Sequence, residues 1–318
     1  MTSTTHRTPV IAIASNTCTE AIRQPIHAIL LLIGIGLLAV NPLVSAFTLG
    51  DDDLLLLELA LSTIFVCGMF LAAFTAALSL GEEIRRHTVL AVLAKPVSRA
   101  ALLLGKFLGI AVALASAWWI WGLALLLTLR HGVPMRPTDP LDGPVLALGG
   151  GGLVLSILLA FAENWRRRRS FPARLVRHLL TIGTAGTIAA LSLDPEWRWQ
   201  SPATDLDGNV LGAALLLLEA MLLLGAAALA ASTRLGTMAT LAATGAVFLV
   251  GMVGASIAGS AAWRHALPNL QLLWVSDGLL RGGEITARVL IAQSAWCAAY
   301  TGGILALAVA LFRTRDVG

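Results

Sequence analysis

The sequence predicts an all-α, polytopic transmembrane helical bundle, and three observations carry that expectation. Apolar residues make up 57% of the 318 and charged residues 13%, where soluble domains carry about 25%. Residues 24–50, 59–81, 107–129, 235–263 and 289–312 contain no Asp, Glu, Lys or Arg at all. Each of these runs is long enough to cross a bilayer, since a core about 30 Å thick needs roughly 20 residues at about 1.5 Å rise. The third observation is the distribution of Lys and Arg, which reports orientation in membrane proteins.

Apolar segments fall at about 26–48, 57–80, 107–129, 143–162, 177–193, 209–231, 237–259 and 289–312. Six of them form core spans. The fourth is glycine-rich and the fifth short and weakly apolar, and they flank "ENWRRRRSFPARLVRH" as an extra hairpin, for eight spans in total. With both termini cytoplasmic, sixteen Lys and Arg lie inside and six outside. Leaving the hairpin out of the membrane would strand its six arginines outside and turn the ratio to ten against twelve. The chain thus reads as an N-terminal interfacial helix (1–25), three spans (26–129) with a cytoplasmic segment at 82–106, the hairpin with outside loops (130–208), and three last spans with a cytoplasmic tail (209–318). "TCTEAIRQP" is expected to be a short helix on the inner surface, with Thr19 as its cap, Glu20 in its first turn and Pro25 at the bend. "VIAIA" is too short for a signal-peptide core.

Several function classes drop out. The net charge of +4 reports topology rather than a nucleic-acid partner, since basic and aromatic residues do not alternate on an exposed face. Cys18, Cys67 and Cys297 show neither CxxC nor metal-ligand spacing, so no metal site and no disulfide framework is expected. Ser256 and His265 in "GASIAGSAAWRH" are not a GxSxG nucleophile, and HExxH is absent, so no catalytic residue is assigned and the chain is not expected to be an enzyme. No GxxxxGK[ST] occurs, and so no cofactor-binding site is assigned either.

"GEEIRRHTVLAVLAKPVSRAALLLGKFLG", residues 81–109, is the most polar patterned stretch between two apolar runs. Acids open it and bases follow one turn later, as the helix macrodipole favours. Glu82 with Arg86 and Glu83 with His87 are i,i+4 pairs, and Ile84, Val89, Leu90 and Leu93 form an apolar stripe. Pro96 breaks the helix and Ser98 caps the next one. The result is a short amphipathic helix and elbow attached to two spans, on the side assigned to the cytoplasm.

This stretch resembles the cytoplasmic signature of type-2 ABC transporter permeases. There an acidic-basic start and a Thr lead to a P-x-S-R turn and a GK opening the next helix. Glu82, Glu83, Thr88, Pro96, Ser98, Arg99, Gly105 and Lys106 stand in that order. The unit around Ser232, Thr233 and Arg234, the loop with Pro268 and Asn269, and the terminal "ALFRTRDVG" are similar to the family's later spans, last outer loop and tail. The resemblance covers about residues 16–129 and 209–318, and residues 130–208 depart from the six-span pattern. It implies a multi-pass permease subunit of an exporter in the plasma (inner) membrane, paired with a second permease copy or a paralogue. ATP would be bound by a separate ABC ATPase subunit, with no cofactor in this chain. Glu82, Glu83, Arg85, Thr88, Leu93, Pro96 and Arg99 would form the ATPase-coupling segment.

Other residues carry lesser expectations. Glu219 in "LLLLEAMLLL" is an intramembrane carboxyl, costly enough to suggest a role at an interface or polar cavity unless it is protonated and bonded to a neighbouring helix. Trp118, Trp119 and Trp121 suggest an aromatic cluster or a membrane-interface belt. Gly105 and Gly109 suit close helix packing, and Arg166 to Arg169 suit anionic lipid headgroups. Two rival classes share these features: a secondary transporter using Glu219, and an ATPase-driven scaffold that moves no substrate.

Overall fold

The computed structural model describes residues 9–46, 52–81, 98–133, 141–258, 268–280 and 282–314. Its elements in order are α1 (Pro9–Arg23), α2 (Pro25–Ser45), α3 (Asp52–Ala76, continued by a π-helical turn Ala77–Gly81) and α4 (Arg99–His131). Next come α5 (Val145–Arg167, opening with a π turn Val145–Gly150) and α6 (171–191, with a π turn Leu179–Gly183). Then follow α7 (Gly208–Ser232), α8 (Thr237–Ala258), the short α9 (Ser276–Leu280) and α10 (Ala287–Arg313). No strand occurs among the described residues, and one isolated bridge joins Leu193 to Trp199.

Six of these helices are long and apolar enough to cross a membrane: α2, α3 with its π turn, α4, α5, α7 and α10. The chain is therefore a multi-pass, all-helical membrane protein by helix length and composition. The remaining two apolar segments, α6 and α8, also form helices; α6 pairs with α5 as the expected hairpin, and α8 lies against α3 and α7. We call the face carrying α1 the near face and the opposite one the far face.

α4 is the hub, packing against α1, α2, α3, α5, α6, α7 and α10. Its three tryptophans differ from a membrane-interface belt. Trp121 is fully buried and its indole N–H donates to the Leu31 carbonyl of α2 at 3.1 Å. Trp118 donates to the Ala214 carbonyl of α7 at 2.6 Å, and Trp119 to the Thr184 hydroxyl of α6 at 3.0 Å. One helical turn thus sends a hydrogen bond to each of three neighbours. Gly34 makes room for the Trp121 ring, where an added Cβ would come within 2.8 Å of Cε2.

Residues 9–23 overturn one expectation. Thr19 does not cap α1: the helix begins ten residues earlier, and the Thr19 hydroxyl donates to the Ser15 carbonyl in mid-helix at 2.8 Å. The reason is an apolar face on a polar stretch, where Ile13, Thr17 and Ala21 turn toward the bundle at helical spacing. α1 lies along the start of α4, and Gly105 and Gly109 are the contact. An added Cβ at Gly105 would sit 2.7 Å from Ile13 Cβ, and one at Gly109 2.6 Å from the Ala14 carbonyl. Pro25 opens α2 right after the non-helical Gln24, making the expected bend.

The far face is closed by Arg130, whose side chain is 5% exposed. Its Nε bonds Asp142 Oδ2 at 3.0 Å, Nη1 lies 3.5 Å from Asp205 Oδ2, and the guanidinium also donates to the carbonyls of Ala190 and Leu193. Asp142 in turn accepts from the Val145 amide at 2.9 Å. The near end of the hairpin is held by Glu163, which pairs with Arg169, Arg174, Arg177 and His178 at 2.7–3.5 Å. Three of the six arginines of this run therefore pin the hairpin through one carboxylate.

Gly109→Ala is expected to cost about 1–3 kcal/mol by overpacking α1 against α4, read as a lower thermal midpoint in detergent. Gly122→Ala, where an added Cβ meets nothing within 4 Å, should leave the midpoint unchanged. Arg130→Ala strands the buried Asp142 and is expected to cost about 3–5 kcal/mol. Limited proteolysis should then cut first between α6 and α7.

Candidate functional site

Residues 82–97, which hold Glu82, Glu83, Arg85, Thr88, Leu93 and Pro96, lie outside the described residues. The two ends of that segment are described, and both are fastened. Before it, α3 finishes in the π turn Ala77–Gly81. Lys106, 2% exposed on α4, donates to the Ser79 carbonyl in that turn at 2.9 Å. A π turn departs from the i→i−4 hydrogen-bond pattern, and the ammonium supplies a donor for one of its carbonyls.

After the segment, Ser98 caps α4 as the sequence predicts, accepting from the Ala101 amide at 3.1 Å. Arg99 is the next residue. Its Nη1 donates to the carbonyls of Phe312 at 2.9 Å and Arg313 at 2.7 Å, and its guanidinium lies 5.6 Å above the Phe312 ring. Arg234, in the turn after α7, reaches the same place: Nη2 donates to the Leu311 carbonyl at 2.7 Å and to the Thr314 hydroxyl. Helix C-termini leave carbonyls unpaired and carry the negative end of the macrodipole. Two cations from different parts of the chain therefore hold the last turn of α10.

Glu219 lies elsewhere, at mid-depth between α7 and α10. Its Oε1 accepts from the Ser294 hydroxyl at 2.6 Å, and its backbone carbonyl accepts from the Cys297 thiol at 3.4 Å. Oε2 is enclosed and has no partner among the described residues, and the same holds for Gln293 Oε1 on the facing turn of α10. The carboxyl thus points into a helix seam and is not brought together with Arg99. α10 is also the least covered long helix, with 17% of its apolar window buried against 61% for α7. Its open face carries Ala292, Ala295, Ala299, Gly302, Gly303 and Ala306.

Sequence reasoning missed the Arg99–Arg234 clamp, because the partners are separated by 213 and 77 residues. Its one visible signal is that Arg99 and Arg234 flank different spans on the side where the chain ends. No group of three or more His, Cys, Asp or Glu able to hold a metal occurs among the described residues. Compared with protein-family models and with curated proteins, the chain matches none.

Arg99→Ala and Arg234→Ala are each expected to free carbonyls of the last α10 turn, at about 1.5–3 kcal/mol for a charge-assisted bond and less where water replaces it. Hydrogen exchange over residues 308–314 should accelerate in both, and more in the double variant. Unchanged protection there would mean that the clamp holds nothing.

Proposed function

We propose that this chain is the membrane-spanning permease subunit of an ATP-driven ABC exporter in the inner membrane, with eight spans and both termini cytoplasmic. A separate ABC ATPase binds and hydrolyses ATP, and residues 82–99 are its coupling contact. The observation that carries this reading is the fastening of both ends of that segment. Force applied to it passes through Ser79 and Lys106 into α3 and α4, and through Arg99 into the end of α10. An ordinary surface loop needs no such anchors, whereas a coupling element must not slip when it is pulled.

In this reading ATP binding closes two ATPase subunits and draws two coupling segments together, shifting the bundle between inward- and outward-facing states. Glu82, Glu83 and Arg85 orient the contact, Leu93 supplies apolar area, and Thr88 and Pro96 shape the helix and its elbow. The second permease copy or paralogue packs on the open face of α10, where small residues let helix backbones approach. Glu219, bonded across α7 and α10, stabilises that last pair of helices rather than carrying a coupled ion.

The test is purification of the chain from native membranes, with mass spectrometry of co-purifying proteins and ATPase activity of the eluate. An ABC ATPase is expected in equal amount, and Glu82→Lys with Glu83→Lys should abolish its recovery while the permease stays folded. Recovery of the intact permease with no ATPase overturns this reading. Transport that then persists and is lost in Glu219→Gln would establish secondary transport instead.

A further inference from the structure

The extra hairpin has a feature of its own. Where α5 and α6 lean on α2 and α4, they enclose a cavity of ≈ 320 Å³, within the range of roughly 300–1,000 Å³ for ligand sites. Ile35 and Pro42 of α2, Ile120 and Leu127 of α4, Leu153 of α5 and Leu179 of α6 line it. No Asp, Glu, Lys or Arg is among the described lining residues. Along α4 the cavity runs from Ile120 to His131, roughly 16 Å at about 1.5 Å per residue. Half of a bilayer core is about 15 Å, so the length of the cavity, which ends toward the far face, matches the depth of one leaflet. Leu43 and Leu146, 59% and 49% exposed, edge its opening on the outer surface of the bundle.

The hairpin is built to leave this space open. Both of its π turns, Val145–Gly150 and Leu179–Gly183, contribute to the wall from opposite legs. Such turns often mark functional sites because they displace a helix face from its regular course. Gly150 and Gly183 line the cavity, and a Cβ added to either would meet no atom within 4 Å. At the far end the wall turns polar. The Thr128 hydroxyl is used on the Leu38 carbonyl at 3.2 Å, and the half-buried His131 ring lines the cavity one turn further on.

We propose that this groove is a binding site for one acyl chain of a membrane lipid. The chain enters sideways from the far-face leaflet, its methyl end reaches Ile120, and its ester or carboxyl oxygen lies beside His131. A narrow uncharged groove of leaflet depth, opening on the bilayer and ending at an imidazole, suits a single hydrocarbon tail with an oxygen at one end. The assignment does not rest on coupling to an ATPase.

The full chain in phosphatidylethanolamine and phosphatidylglycerol nanodiscs, doped with a phosphatidylcholine carrying a diazirine in one acyl chain, provides the test. After irradiation, adducts are mapped by peptide mass spectrometry. Adducts are expected on Leu127, Leu153 and Leu179, and Gly183→Leu should reduce them roughly ten-fold while those at exposed Ile33 and Leu37 of α2 stay constant. Gly150→Leu fills the same space from the other leg and guards against a folding defect in the first variant. A parallel arm uses a diazirine fatty acid: groove labelling by the phospholipid identifies an esterified chain, and labelling by the fatty acid alone a free one. Groove adducts no more frequent than those at Ile33, or unchanged in both variants, overturn the proposal.

Discussion

The bundle depends on what three indole N–H groups of α4 do in a medium without water. Between helices in lipid there is no hydrophobic force, and association rests on close packing and on hydrogen bonds worth about 0.6–2 kcal/mol each. Trp118, Trp119 and Trp121 deliver three such bonds from a single turn to α7, α6 and α2. Ring size matters as much as the bond. A buried indole fills the space that Gly34 leaves open, so one contact fixes both the distance between α2 and α4 and their register. With that turn fixed, the start of α4 meets α1 through Gly105 and Gly109, and its end carries Arg130 to the far-face lock.

The near face shows a different economy. Charged side chains there serve as donors to carbonyls at irregular or terminal turns: Lys106 at a π turn, Arg99 and Arg234 at the last turn of α10. Each joins segments remote in sequence, and together they make the two ends of 82–97 parts of the bundle rather than of a loop. The mid-depth pair Glu219 and Ser294 does for α7 and α10 what the tryptophans do for the hub.

The apolar runs were legible because bilayer thickness sets a length that no other constraint imposes, and each became a helix, the weak fifth one included. The cap at Ser98 was legible because it is local, decided within three residues. The start of α1 was not: "SNTCTE" reads as polar by composition, and only its 3.6-residue period shows the buried face of Ile13, Thr17 and Ala21. The tryptophans were legible as a cluster but not as bolts, since their partners depend on where α2, α6 and α7 cross α4. Arg130, Glu219 and Arg99 share that difficulty, with partners up to 214 residues away. The segment 82–97, read in most detail from sequence, falls outside the described residues.

The far-face lock has a bearing on how the protein is made. Arg130 leaves the ribosome well before Asp205, so its guanidinium has only Asp142 and then the Ala190 and Leu193 carbonyls to hold until the entry to α7 is synthesised. The guanidinium's shell is therefore complete only once the chain from Arg130 through Asp205 has been made, and the lock joins the end of α4, the hairpin and the entry to α7 in one contact.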